Sequence, residues 1–253
     1  MTYLVRNAGK TIPLTGVIIL AVLLIFAIIS LINSIPLSIR TIYRYSSEMV
    51  GLTPRGDAAM TAKLVQIVKK GSPVPIGRIV LARASLSQVQ SIVGKWDFAV
   101  IGLSRPDLEY YLSRQLMTSL DGRLPAKGMP EAVISEPVAR NLKLKIGSIL
   151  LGPDKPDSYS PFPVKIVGIA RTERWVMVAD RDYYVANHYP PIDVAMVFAA
   201  KKSDQETLDR WTEKTMVGKR ALVLAYYRVE QETTQMFVVL YKILDVVIGT
   251  LVL

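Results

Sequence analysis

The stretch Thr11–Ile39, TIPLTGVIILAVLLIFAIISLINSIPLSI, contains no charged residue. Nothing else restricts the folding of this chain so strongly. A helix needs about 20 apolar residues to cross the hydrocarbon core of a bilayer. Thr15–Ile35 supplies such a run, dense in Ile, Leu and Val. The competing reading is a cleaved secretion signal, whose apolar centre is about 7–15 residues long and leads into a small-residue cleavage site. Here the run is longer and no such site follows it closely. The expectation is a retained transmembrane helix over 13–36. Arg6 and Lys10 precede it without an acidic neighbour, which places residues 1–12 in the cytoplasm by the positive-inside bias. Arg40 and Arg44 argue the other way, but long domains translocate largely regardless of charge.

A second apolar segment closes the sequence, MFVVLYKILDVVIGTLVL. Met236, Phe237, Leu240, Ile243, Leu244 and Val247 recur with helical spacing. After Asp245 only VVIGTLVL remains, too short to cross a bilayer. The expectation is the start of a second span over 236–253, in a piece of a longer chain. The competing reading is an amphipathic helix packed on the outer domain. Residues 37–235 then form an extracytoplasmic domain with a helical stalk. Ile39, Ile42 and Tyr43 on one helix, and Phe237, Leu240 and Leu244 on the other, are expected to pack against each other in that stalk.

Composition narrows the chemistry. The chain has no cysteine and one histidine, His188. Disulfides, thiolate nucleophiles and Cys/His zinc sites are excluded. A net charge of +10 suits nucleic acid, anionic lipid or an anionic envelope polymer. A membrane-anchored outer domain argues against nucleic acid. The apolar fraction of 51% and mean hydropathy of +0.31 fit a membrane protein better than a soluble one.

The middle of the chain reads as mixed α+β, without the strict alternation of a doubly wound fold. A helix continues from the first span through IRTIYRYSSEMV. GLTPRGD reads as a break. KLVQIVKK, GSPVP and IGRIVLARAS read as strand, turn and strand. KWDFAVIGL is a strand, and RPDLEYYLSRQLMTSL a helix opened by Pro106. EAVIS, SILLG, FPVKIVGIAR, RWVMVAD and DVAMVFAAK are further strands. PVARNLKL and DQETLDRWTEKTM are helices.

No catalytic constellation emerges. GLTPRGD lacks the lysine and Ser/Thr of a phosphate-binding loop, with Asp57 where that lysine belongs. Arg55–Asp57 is a three-residue match to an adhesion motif that recurs by chance. His188 has no partner at a catalytic or metal-binding spacing. RTERWVMVADRDYYVANHYPP mixes arginine and aromatics as recognition surfaces do, although a strand pair with a solvated face has the same composition. Lys69–Lys70 and Lys201–Lys202 read as solvated turns.

The segment LDGRLPAKGMPEAVISEPVARNLKLKIGSILL resembles the extracytoplasmic core domain of MacB/FtsX-type ABC transporter permeases. Gly122-Arg123-Leu124-Pro125 is similar to that family's turn. Glu131–Glu136 matches its strand and helix start, Leu144–Gly147 its second turn, and Lys165–Ile169 a later strand. Lys143 stands where the family usually has Gly, which suggests a differently built helix cap, and Ser148 where it has Asp. Gly122 and Gly147 sit where tight turns need positive φ. Val133, Ile134, Ile146, Ile149, Ile166, Val167 and Ile169 are core candidates.

The resemblance implies a permease subunit working with a separate cytoplasmic ABC ATPase and a second permease copy, the same or different. It implies a place in the cytoplasmic (inner) membrane, contact with lipid, and admits a periplasmic adaptor protein. Coupled to that ATPase, the outer domain would move to export or release a substrate. It implies no enzyme activity, and no catalytic, cofactor-binding or metal-binding residue is expected here. The alternative is a membrane-tethered sensor or adhesion domain without an ATPase.

Overall fold

The computed structural model describes residues 8–54, 58–92, 94–155, 160–187, 192–219 and 221–252. They fall into two compact units, one comprising Met1–Ile39 with Glu232–Leu253, the other Arg40–Gln231.

The first unit contains most of helix α1 (Ala8–Tyr43) and most of the last helix, α7 (Tyr226–Val252). The described side chains from Ile12 to Leu24 all face outward, and Phe26 is 72% exposed. Among the described residues, this is the one helix long and apolar enough to cross a membrane. Further along, the exposure changes with a period of three to four. Ile25, Ile28, Ile29, Ile32, Ile35 and Ile39 are partly or fully covered. On α7 within this unit the covered positions are Thr233, Met236, Phe237, Leu240 and Leu244, the spacing of a helix–helix seam. The Tyr241 hydroxyl reaches Asn33 Oδ1 at 2.7 Å. A polar contact of this kind is the usual glue between helices that lipid cannot drive together.

The second unit is a mixed sheet with helices on both faces. Its strands are β1 (Val50–Pro54), β2 (Ile76–Ser91), β3 (Gly94–Leu103), β4 (Ser119–Gly122), β5 (Glu131–Ser135), β6 (Ile149–Leu151), β7 (Val164–Arg171), β8 (Met177–Asp180), β9 (Ile192–Ala199) and β10 (Ala221–Leu224). The order is β10-β1-β9-β2-β3-β8-β5-β7-β4, with β6 beside β7. The β3/β8 and β5/β7 pairs are parallel and the others antiparallel. Helices α2 (Ala58–Gly71), α3 (Arg105–Arg114), α4 (Glu136–Leu142), α5 (Arg181–Ala186) and α6 (Gln205–Met216) cover it. The α+β expectation holds.

Strand β9 shows why both faces need cover. Val194, Met196 and Phe198 join one core with Leu108, Tyr111 and Leu112 of α3. Ala195, Val197 and Ala199 join another with Leu64 and Val68 of α2 and Leu208 of α6. A strand buried on both faces is apolar throughout instead of alternating.

Several sequence expectations change. KLVQIVKK is part of α2, because Leu64, Val65 and Val68 bury one helical face; a short apolar run is ambiguous between helix and strand. Lys69 and Lys70 therefore lie in a helix's last turn. Part of the expected break is strand β1, between β9 and β10. The expected long helix after Ser104 stops at Arg114. Leu116 has φ +58, and Leu120 lies in β4. Ile42 and Tyr43 pack on the sheet domain with Val89, Phe98 and Trp96, so they are not part of a helix–helix stripe. Ile146 and Ile149 are 45% and 36% exposed, unlike the buried Val133, Ile134, Ile166 and Val167. Ile149 is on the outer side of a short strand whose Leu150 and Leu151 fill the core. Ile169 is partly buried against the same core. Asp57 and His188 lie outside the described residues.

The cap after α4 is a correction of another kind. Lys143 adopts φ 55, ψ 39, the left-handed conformation that glycine adopts without steric cost. Leu144 N donates to Ala139 O at 2.9 Å and Lys143 N to Arg140 O at 3.4 Å. That is a complete Schellman pair, so the cap keeps the glycine geometry with a lysine in it. Ser148 closes the next turn, its Oγ accepting from Lys145 N at 3.1 Å.

Candidate functional site: the clamp on the Arg44–Glu48 turn

Helix α1 ends at Tyr43 and tightens into a 3-10 turn, Arg44–Glu48, before β1. Four separate segments of the sheet domain converge on this turn. Glu48 is 2% exposed, and its carboxylate meets three cations. Arg174 Nη2 lies at 3.2 Å, Arg114 Nη2 at 3.6 Å and Lys202 Nζ at 2.5 Å. A buried carboxylate needs such compensation, because desolvating an ion costs several kcal/mol. Lys202 was expected in a solvated turn; its chain position gives no sign of a partner so far away.

Arg174 does the most. Its Nη1 donates to Arg44 O at 2.5 Å and Ser47 Oγ at 2.8 Å. Its backbone N donates to Thr172 Oγ1 at 3.1 Å. The Thr172 hydroxyl donates to Gln115 O at 2.6 Å, and Gln115 Nε2 to Tyr45 O at 3.0 Å. Arg114 Nη2 donates to Glu48 O at 3.4 Å. The turn is therefore held by its carbonyls as well as by its acid. Burial pulls the Arg174 guanidinium below its ordinary pKa, while Glu48 raises it. Burial also pushes the phenols of Tyr45 and Tyr111 up, which keeps both neutral. Tyr111 Oη is buried without a hydrogen-bond partner.

Aromatic rings continue the attachment. Tyr43 sits 6.3 Å from Trp96 and 6.4 Å from Tyr45, Tyr45 sits 5.2 Å from Phe98, and Phe98 sits 6.5 Å from Trp175. Tyr43 Oη donates to Asp97 O at 3.0 Å. The start of α7 is tied to the same region. Arg40 Nη2 donates to Glu230 O at 3.2 Å, and Tyr226 Oη to Arg40 O at 3.3 Å.

In sequence the segment 171–191 reads as either a recognition surface or a strand pair with a solvated face. Its described part is mostly interior: Tyr183 and Tyr184 are core residues, Trp175 packs on that core, and Arg174 is the clamp. The motif that carried the family resemblance is also structural. Arg123 grips Glu131 with both Nη atoms, and Glu131 also accepts from Ala126 N at 2.9 Å. The bond to Arg123 holds the Glu131 carboxyl below its usual range. Gly122 (φ +88) begins this clasp; a Cβ there would stand 2.4 Å from Val167 O. Among the described residues no group of three or more His, Asp or Glu side chains is placed to hold a metal.

The clamp cannot perform acid–base or nucleophilic chemistry, since its one carboxylate is locked by cations. The network is incomplete, since Arg114 Nε and Gln115 Oε1 are buried without a hydrogen-bond partner, as is Tyr111 Oη. No protein-family model and no curated protein matches the chain. Among solved structures it is similar to the periplasmic region of MacB from Actinobacillus actinomycetemcomitans, with 11% identity, 77% of this chain and 94% of that one covered, and a TM-score of 0.40. It is also similar to the extracellular domain of YknZ, a noncanonic ABC-type transporter from Gram-positive bacteria. There the identity is 14%, with 70% of this chain and 99% of that one covered and a TM-score of 0.39. At scores under 0.5 these likenesses assign neither fold nor function by themselves.

Proposed function

We propose that this chain is the first part of a MacB/FtsX-type ABC transporter permease, anchored in the cytoplasmic membrane by α1 with its sheet domain outside. The observation that carries this reading is the clamp. An apolar helix that fits a bilayer continues without a break to Tyr43, and the turn that follows is fixed by the Glu48–Arg174 network. A sensor or adhesion domain needs no such lock on its entry turn; a turn locked into the core suits a sheet domain that is moved as one body. The motif residues Gly122, Arg123, Glu131 and Gly147 support the same family. ATP would be hydrolysed by a separate cytoplasmic partner, and a second permease copy would complete the assembly. Motion of α1 would then shift the outer domain to export or release a substrate.

The test uses the full-length permease with its ATPase in nanodiscs. Glu48→Gln should leave the ATPase able to turn over while reducing substrate-stimulated hydrolysis several-fold. Unchanged stimulation in a folded Glu48→Gln protein contradicts transmission through the clamp. A coding sequence that does not continue into further spans, with no ATPase gene beside it, contradicts the permease reading itself.

A further inference from the structure

Strand β10 ends the described sheet, with β1 on one side and no described strand on the other. Its sequence is ALVL, without the charge or proline that usually blunts an open edge, and its register with β1 runs without a bulge. Every second residue of β10 therefore turns its N–H and C=O to the open side. A groove of about 630 Å³ lies there, walled by the end of α6, the start of α7 and β10 itself. Ala221, Leu222 and Val223 all line it. Successive strand residues point to opposite faces, so a groove that touches all three follows the edge of the strand. Leu222 and Leu224 share one face and are 40% and 42% exposed, while Val223 is buried on the other, in the core shared with α6.

Charge decides the kind of occupant. Arg228 at the groove meets Glu213 at 3.1 Å, and Arg210 meets Glu206 at 2.8 Å. Lys214 and Lys219 are exposed and meet no carboxylate among the described residues. Lys219 stands in the chain between the lining residues Gly218 and Ala221. A second copy of this chain would bring the same lysines against each other, whereas an acidic segment neutralises them.

We propose that β10 takes up an extended acidic peptide of another protein as a further strand of the sheet. Main-chain hydrogen bonds hold it to β10, and alternate side chains supply the selectivity, as in other strand additions. Its apolar side chains lie beside Leu222 and Leu224, in the reach of cross-strand neighbours. The residues between them face the α6 side, towards the turn that carries Lys219, and are acidic. The sequence required is therefore an alternation of acidic and apolar residues.

The experiment titrates the full chain in detergent with acetyl-(Glu-Val)3-amide, read by the amide and methyl resonances of Leu222 and Leu224 and by amide exchange in β10. The expected result is saturable shifts at both leucines, slower exchange of a β10 amide and a Kd of about 0.1 mM or tighter. N-methylation of alternate peptide residues separates strand pairing from adsorption. Blocking the set of N–H groups that faces β10 should weaken binding at least about tenfold, and blocking the other set should change it little. Acetyl-(Lys-Val)3-amide should bind at least about tenfold more weakly than the acidic peptide. Leu222→Glu should weaken binding about tenfold at an unchanged melting temperature, since the site is already exposed. No saturable shift at the two leucines overturns the proposal. So does an equal response to the two N-methylated peptides, which leave the chain unaltered and decide the matter even if Leu222→Glu does not fold. Equal affinity for the lysine peptide also overturns it. Self-association of the chain that Leu222→Glu abolishes, without binding of the acidic peptide, identifies a second copy as the occupant and overturns it too.

Discussion

Glu48 and Arg174 meet at 3.2 Å in the interior of the sheet domain, although 126 residues separate them in the chain. The acid closes the Arg44–Glu48 turn and the base sits in the β7–β8 connection, so one contact ties that turn to the distal strands of the sheet domain. Breaking one partner of a buried pair leaves the other uncompensated, at a cost of about 3–5 kcal/mol. Glu48→Gln should lower stability by that order. Glu48→Gln combined with Arg174→Met should recover part of the loss, because the most buried of the three stranded cations is gone. Denaturant melts of the wild type, Glu48→Gln, Arg174→Met and the double variant check this; a double variant at least as destabilised as the sum of the two single changes rules out mutual compensation.

Asp209 gives the chain a pH dependence. It is 2% exposed, and its carboxylate takes one hydrogen bond, from Gln205 Nε2 at 2.8 Å. Burial raises its pKa to about 7 against a bond from Gln205 that lowers it. Between the ordinary carboxyl value of 3.8 and about 7, the folded chain keeps a proton that the unfolded chain has released. Stability from this group therefore falls as pH rises through that window and is level above it. Asp209→Asn keeps an acceptor for Gln205 and should stabilise the chain by about 1–3 kcal/mol at pH 8 and by little at pH 4. Melting temperatures of both proteins across pH 4–8 measure the difference, which has to grow with pH.

Lys143 and Gly122 make opposite predictions about one kind of backbone. Lys143→Gly relieves a left-handed side chain at an otherwise complete cap and should stabilise by about 0.5–1 kcal/mol. Gly122→Ala adds a Cβ at φ +88 against Val167 O and should destabilise by more than 2 kcal/mol, since strain and overlap add. Equal effects of the two substitutions would mean that backbone conformation is not what decides them.

The pair Asn33 and Tyr241 tests the two-helix unit. Cysteines at both positions should be joined by a short bismaleimide in membranes, as expected for side chains whose polar atoms lie 2.7 Å apart. Cysteines at Leu24 and Tyr241 should not be. Joining of the second pair with equal yield would show that the helices have no fixed register.

Much of this protein follows from local pattern. The uncharged run of α1, the strands around Val133 and Ile166, and the positive φ of Gly122 and Gly147 each depend on a few neighbouring residues. Hydrophobic period and glycine stereochemistry act over that range, so they can be read along the chain. The identity of α2 was not legible, because KLVQIVKK is apolar at positions that suit either a helix or a strand; only its packing under β1 and β9 decided between them. Nor was the clamp. Glu48, Arg114, Arg174 and Lys202 are ordinary charged residues in four distant segments. A charge at the surface interacts weakly through water, and the same charge in a desolvated interior demands a partner. Which charges become interior depends on how the sheet folds over them, and that is settled by contacts between residues far apart in sequence.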